Sequence, residues 1–123
     1  YMRAPSCMRE FDANGEELYW RCDSAIYGHP RSAALWGNHM SKCFRDYGFH
    51  QLRSDQCVFT IWEDPWTFCI VVTHSDDCIV TSNSRAYGDK IRHDLLQLFP
   101  GKDLGKLSAF CGVEIVHEQD GSL

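Results

Sequence analysis

Along this chain, apolar and polar positions switch between two periods. Trp36, Met40, Cys43, Phe44 and Tyr47 recur at helical spacing and stop at Gly48, the pattern of an amphipathic helix closed by a residue that tolerates left-handed backbone. A second stripe of Tyr87, Ile91, Leu95 and Leu98 follows Ser84, a good N-cap, and closes at Pro100-Gly101. Between the two helices the period shortens. Cys57 to Trp62 and Trp66 to Thr73 are rich in β-branched and aromatic residues around Glu63-Asp64-Pro65, so they predict two paired strands, and Cys78 to Thr81 predicts a third. Leu18 to Cys22 predicts a short strand after the Asn14-Gly15 turn, Pro30 marks a loop, and a last strand is predicted through Val113 and Ile115. Together these elements imply an α+β fold, a mainly antiparallel sheet with two helices packed on one face.

Where the second and third strands of that set meet, the run Thr73-His74-Ser75-Asp76-Asp77-Cys78 puts two aspartates at a tight turn. Adjacent carboxylates repel, and a hard divalent cation such as Mg²⁺ or Mn²⁺ is the usual compensation. Aspartate is also simply a good turn residue, so a solvated hairpin tip accounts for the pair as well.

Composition narrows the options. A chain of 123 residues with 44% hydrophobic content has room for one domain with one core. The net charge of −5, from 12 basic and 17 acidic residues, argues against a free-standing nucleic-acid binder that relies on phosphate contacts. The seven cysteines are an odd number without a C-x-x-C pair, which points to free thiols, some of them core residues such as Cys43 and Cys69, and not to a disulfide framework. None of the six histidines is spaced with a cysteine as in a zinc finger. His39, His93 and His117 fall at polar positions and are expected in solvent. No apolar run in the sequence is long enough to span a bilayer, and neither a signal peptide nor a membrane partner is expected. Neither repeats nor low-complexity segments occur. Tyr1 starts without a methionine and Glu118 to Ser122 reads as a turn without its second strand, so the chain is expected to be a fragment cut at both ends.

Several blocks follow one another in a recognisable order. Tyr1-Met2-Arg3-Ala4-Pro5 opens the chain; Ala25-Ile26-Tyr27-Gly28 precedes Leu35-Trp36; Tyr47-Gly48-Phe49 and Ser54-Asp55-Gln56-Cys57-Val58-Phe59 follow. After Asp76-Asp77 come Lys102-Asp103-Leu104-Gly105-Lys106-Leu107 and Phe110-Cys111-Gly112-Val113-Glu114-Ile115. This ordered set resembles the reverse transcriptase of copia-type LTR retrotransposons over nearly the whole chain. The resemblance implies that residues 1–123 are a partial palm domain of an RNA-directed DNA polymerase. It also implies nucleotidyl transfer to a primer 3′-hydroxyl by two Mg²⁺ (or Mn²⁺) ions held roughly 3.5 to 4 Å apart. Asp76 and Asp77 are then the metal-binding catalytic carboxylates, Asp76 leading and Asp77 supporting. The partners are an RNA or DNA template-primer, dNTPs and the remainder of a Pol polyprotein, in a cytoplasmic retroelement particle.

The family's other catalytic aspartate precedes the segment that Tyr1 opens, so the isolated chain is expected to be inactive. Two departures bear on the parent enzyme. His74-Ser75 stands where the family has an aromatic and a small apolar residue, beside the primer end. His29-Pro30-Arg31 replaces leucine-lysine-glutamine in the loop after Tyr27-Gly28, which lines the incoming nucleotide in the family. Arg31 is a candidate bidentate donor to a phosphate there, or a solvated loop charge. Two alternatives therefore stand beside the polymerase: a non-catalytic palm remnant of a decayed retroelement acting as an interaction module, and an unrelated ferredoxin-like α+β binding domain.

Overall fold

The computed structural model describes residues 1–117. The chain divides into two compact units, Tyr1–Gly37 and the part from Asn38 onward.

In the first unit, β1 (Met2–Arg3) pairs antiparallel with β2 (Tyr19–Trp20), Met2 facing Trp20 and Arg3 facing Tyr19. The predicted strand at Leu18 to Cys22 thus shortens to two residues. A single 3₁₀ turn, Ser6–Met8, follows β1, and a bridge between Phe11 and Glu17 closes a loop around Asp12. The Asp12 carboxylate accepts the amides of Asn14 and Glu16, both at 2.8 Å. Those amides, Glu16 first, hold its pKa below the ordinary aspartate value. Gly15, at φ 83, supplies the left-handed residue that this loop requires. Across the ladder the Arg3 guanidinium grips Glu17 with Nε and Nη2, at 2.9 and 2.6 Å, and Arg9 approaches the same carboxylate at 3.2 Å.

The second unit carries the core. Helix α1 (Ser32–Tyr47), which belongs to this unit from Asn38 onward, ends as its sequence predicts. The Gly48 amide donates to the Arg45 carbonyl at 3.0 Å and the Phe49 amide to the Phe44 carbonyl at 2.9 Å, a Schellman closure that needs the positive φ of Gly48, here 117. The apolar contact that accompanies this motif is the pair Phe44 and Phe49, whose rings meet edge to face at 5.1 Å. The stripe is deepest at Met40 and Phe44. Cys43 and Tyr47 are half-buried, and Trp36, expected on the core face, is exposed.

The sheet has four antiparallel strands in the order β3 (His50–Gln51), β4 (Val58–Trp62), β5 (Phe68–His74), β6 (Asp77–Ser82). β4 and β5 are joined through Asp64, whose carboxylate accepts the amides of Trp66 and Thr67 at 2.7 and 2.9 Å. Along β5 burial alternates, with Cys69, Val71 and Thr73 inward and Ile70, Val72 and His74 on the other face. Helix α2 (Arg85–Leu98) begins at Ser84, whose Oγ accepts the Tyr87 amide. It buries Tyr87, Ile91 and Leu95 but leaves Leu98 exposed.

One cluster of Met40, Phe44, Phe49, Phe59, Cys69, Val71, Tyr87, Ile91 and Leu95 unites both helices with one sheet face. Phe44 stacks on Phe59 at 4.5 Å. This is the predicted α+β arrangement. A further hairpin departs from expectation: Val113 is not part of the main sheet but of β8 (Val113–Glu114), which pairs with β7 (Ala109–Phe110) as a separate ribbon. All seven cysteines are free, yet only Cys69 is buried and five are exposed, so fewer thiols serve as core than the sequence suggested. His39 and His93 are exposed as expected, whereas half-buried His117 contacts the Leu107 carbonyl through Nε2.

Candidate functional site

β5 and β6 meet in a two-residue loop, Ser75-Asp76, with His74 paired to Asp77. Two-residue hairpin loops favour positive φ because it matches the twist of the strands, and the residue that adopts it is normally glycine or asparagine. Here Ser75 takes it, at φ 55, and Asp76 does not, the sign pattern of a II′ turn. The serine therefore holds a backbone conformation that its Cβ disfavours.

β5 is anchored next to the turn by Thr73, the buried polar residue among the described residues. Its amide and hydroxyl both donate to the Cys57 carbonyl, at 2.9 and 3.2 Å. From that anchor the chain passes out of the core within one residue. His74, Ser75, Asp76 and Asp77 are all exposed.

Asp77 shares the sheet face of His74, because directly paired residues of a ladder point the same way, while Asp76 sits in the loop itself. Cys78 lies opposite Thr73, on the face that the helices cover. Its thiol is pushed up to about 11, first by the protein packed around it and then by the negative charges of Asp77 and Asp76. The residue stays exposed, so water screens part of that effect.

Two adjacent carboxylates are hard oxygen donors, and Mg²⁺ is commonly held by one or two carboxylates with waters and substrate phosphates filling the remaining positions. The donor set fits such an ion in that partial sense. Among the described residues, no group of three or more His, Cys, Asp or Glu side chains converges on a common point.

The remaining candidates fall in the first unit. Tyr27 is 94% exposed. Gly28 turns at φ 83 with open space where a Cβ would stand. The Arg31 amide donates to His29 Nδ1 at 3.2 Å, and the Ser32 hydroxyl donates to the Ile26 carbonyl at 2.6 Å. These two bonds close the loop at the start of α1. The Arg31 guanidinium has no ion-pair partner among the described residues. The structure thus groups His74, Ser75, Asp76 and Asp77 in one unit and Tyr27, Gly28 and Arg31 in the other.

One neighbour of the turn was not legible beforehand. Phe110, at the end of β7, meets the His74 ring edge to face at 6.3 Å, so the β7–β8 ribbon lies beside the aspartate turn. The available signal was the Phe110-Cys111-Gly112 block, in which Cys111 and Gly112 both take positive φ, 51 and 77, and form the ribbon's turn.

Comparison with known proteins adds three findings. A family model described as reverse transcriptase (RNA-dependent DNA polymerase) matches residues 1–122. The chain is 25% identical over 107 residues to a transposon Ty5-1 protein of Saccharomyces cerevisiae, covering 87% of this chain and 34% of that protein. It is 23% identical over 120 residues to the retrovirus-related Pol polyprotein from transposon TNT 1-94 of Nicotiana tabacum, covering 97% of this chain and 9% of the polyprotein. The chain therefore spans about a third of one relative and under a tenth of the other. No solved structure matches.

Proposed function

The chain belongs to the reverse transcriptase (RNA-dependent DNA polymerase) family, and on that footing we propose that the β5–β6 turn is the carboxylate end of a nucleotidyl-transfer site within a retrotransposon Pol polyprotein. The observation that carries this reading is the two-residue hairpin that lifts Asp76 and Asp77 into solvent directly beyond the buried Thr73 anchor. A bound Mg²⁺ or Mn²⁺ supplies Lewis-acid stabilisation to the transferring phosphoryl group and lowers the pKa of the attacking hydroxyl.

The chain's own residues provide position. Asp76, in the loop, is the leading ligand, and Asp77, at the start of β6, supports it. The rigid pair of strands holds both carboxylates where a substrate phosphate meets them from solvent. His74 and Ser75 lie beside the primer end. In the other unit Tyr27, Gly28 and Arg31 serve the incoming dNTP, Arg31 as a fork-shaped donor to phosphate oxygens. Template-primer, dNTPs and the rest of the polyprotein are the partners, and a cytoplasmic retroelement particle is the setting.

A non-catalytic palm remnant is the rival reading, favoured by His74-Ser75 ahead of the aspartates and by the His29-Pro30-Arg31 loop. Primer extension on an RNA template by the Pol polyprotein that contains this chain separates the two. Mg²⁺-dependent extension that falls to background in Asp76→Asn supports the polymerase. Extension that survives Asp76→Asn refutes the assigned role, and a polyprotein inactive in both forms supports the remnant.

A further inference from the structure

We propose that His39 and Cys43 form a two-ligand chelate on α1 for a borderline or soft divalent cation such as Zn²⁺, separate from the aspartate turn. The two residues are one helical turn apart and so share a face. Cys43 Sγ lies 3.7 Å from His39 Nε2. A metal bonded to sulfur at about 2.3 Å and to nitrogen at about 2.0–2.1 Å, with a tetrahedral angle between them, requires a separation of about 3.6 Å. The pair already stands at that spacing.

The surroundings favour entry of an ion. His39 is exposed and Cys43 half-buried, so an ion reaches both from solvent. The Phe99 ring meets the imidazole edge to face at 6.4 Å and restrains its rotation. With no third His, Cys, Asp or Glu within reach among the described residues, water completes the coordination and binding is correspondingly modest.

Binding exchanges one proton: the sulfur–metal bond forms as the thiol proton leaves to buffer, while the imidazole coordinates in its neutral form. A thiolate and an imidazole select Zn²⁺ or Co²⁺ over the oxygen-seeking Mg²⁺ and Mn²⁺, so the chelate and the Asp76-Asp77 turn draw on different ions. The clip closes one turn of α1 directly before Phe44 enters the core, and occupancy therefore stabilises the unit.

The test is a Co²⁺ titration of the reduced chain, with Co²⁺ standing in for Zn²⁺. We expect a near-ultraviolet thiolate-to-cobalt charge-transfer band that saturates at one ion per chain. The band is lost in Cys43→Ser, strongly weakened in His39→Asn, unchanged in Asp76→Asn and insensitive to excess Mg²⁺. Absence of the band in the wild type overturns the proposal. So does a band that persists in Cys43→Ser, which assigns it to another thiol, or one undiminished in His39→Asn, which leaves a lone cysteine. Far-ultraviolet circular dichroism checks the fold. Should Cys43→Ser fail to fold, His39→Asn decides alone, because that side chain is exposed.

Discussion

Replacing Tyr47 with phenylalanine isolates the polar link between the two helices. Tyr47, in the last turn of α1, donates its hydroxyl to Asp94 Oδ2 on α2, a pair separated by 47 positions in sequence. Burial first, and the Asp94 carboxylate second, push the Tyr47 pKa from 10.0 up to about 12. Both causes favour the neutral phenol in the folded state, and solvent reaching the half-buried ring screens part of the effect. Phenylalanine keeps the buried ring, so the substitution removes chiefly the hydrogen bond to a charged acceptor, about 1.5–2 kcal/mol.

The pH dependence follows from the direction of the shift. Because the folded pKa lies above the unfolded one, the contribution is fully present below pH ~10 and is lost as pH rises towards 12. Urea unfolding of wild type and Tyr47→Phe is therefore predicted to differ by about 1.5–2 kcal/mol at pH 7, with the gap closing between pH 10 and 12. An Asp94→Asn background makes the change at Tyr47 smaller, since the two act as a pair. A gap that stays constant through the alkaline range refutes the link.

Other perturbations have equally definite outcomes. Phe44→Ala, at a fully buried side chain stacked on Phe59 at 4.5 Å, is predicted to cost about 3–5 kcal/mol, measured as a lower urea midpoint. Ser84→Ala removes the N-cap of α2 and is predicted to cost about 1 kcal/mol in the same assay. Ser75→Gly relieves the positive φ of the turn and is predicted to raise stability by about 0.5–1 kcal/mol, the left-handed penalty less the added entropy of glycine. Thiol titration in denaturant is predicted to find all seven cysteines free.

The local grammar of the chain was legible wherever short-range chemistry decides structure. Gly48 after the α1 stripe, Ser84 before α2 and Asp64 between the paired strands each act within a few residues, and each behaves as its residue type implies. The two-residue turn at Asp76 was legible for the same reason. What stayed hidden depends on long-range partners or on strands too short to show a period. β3 is only His50–Gln51, an edge strand held by side-chain bonds from Gln51 Nε2 to the Gln56 carbonyl and the Ser41 hydroxyl. β7 and β8 are equally short, and their ribbon reaches the candidate site through Phe110 and His74, 36 positions apart, a contact that periodicity does not encode. Trp36 sits at the right spacing for the core stripe and is nonetheless exposed, since spacing alone does not say how far along a helix burial extends.

Paramagnetic broadening by Mn²⁺ tests on the chain itself whether the aspartate turn is a metal site led by Asp76. Weak, localised broadening of amide signals around residues 74–79 is expected in the wild type, reduced more by Asp76→Asn than by Asp77→Asn. Equal broadening in the wild type and both variants would contradict it, because the turn would then not hold the ion.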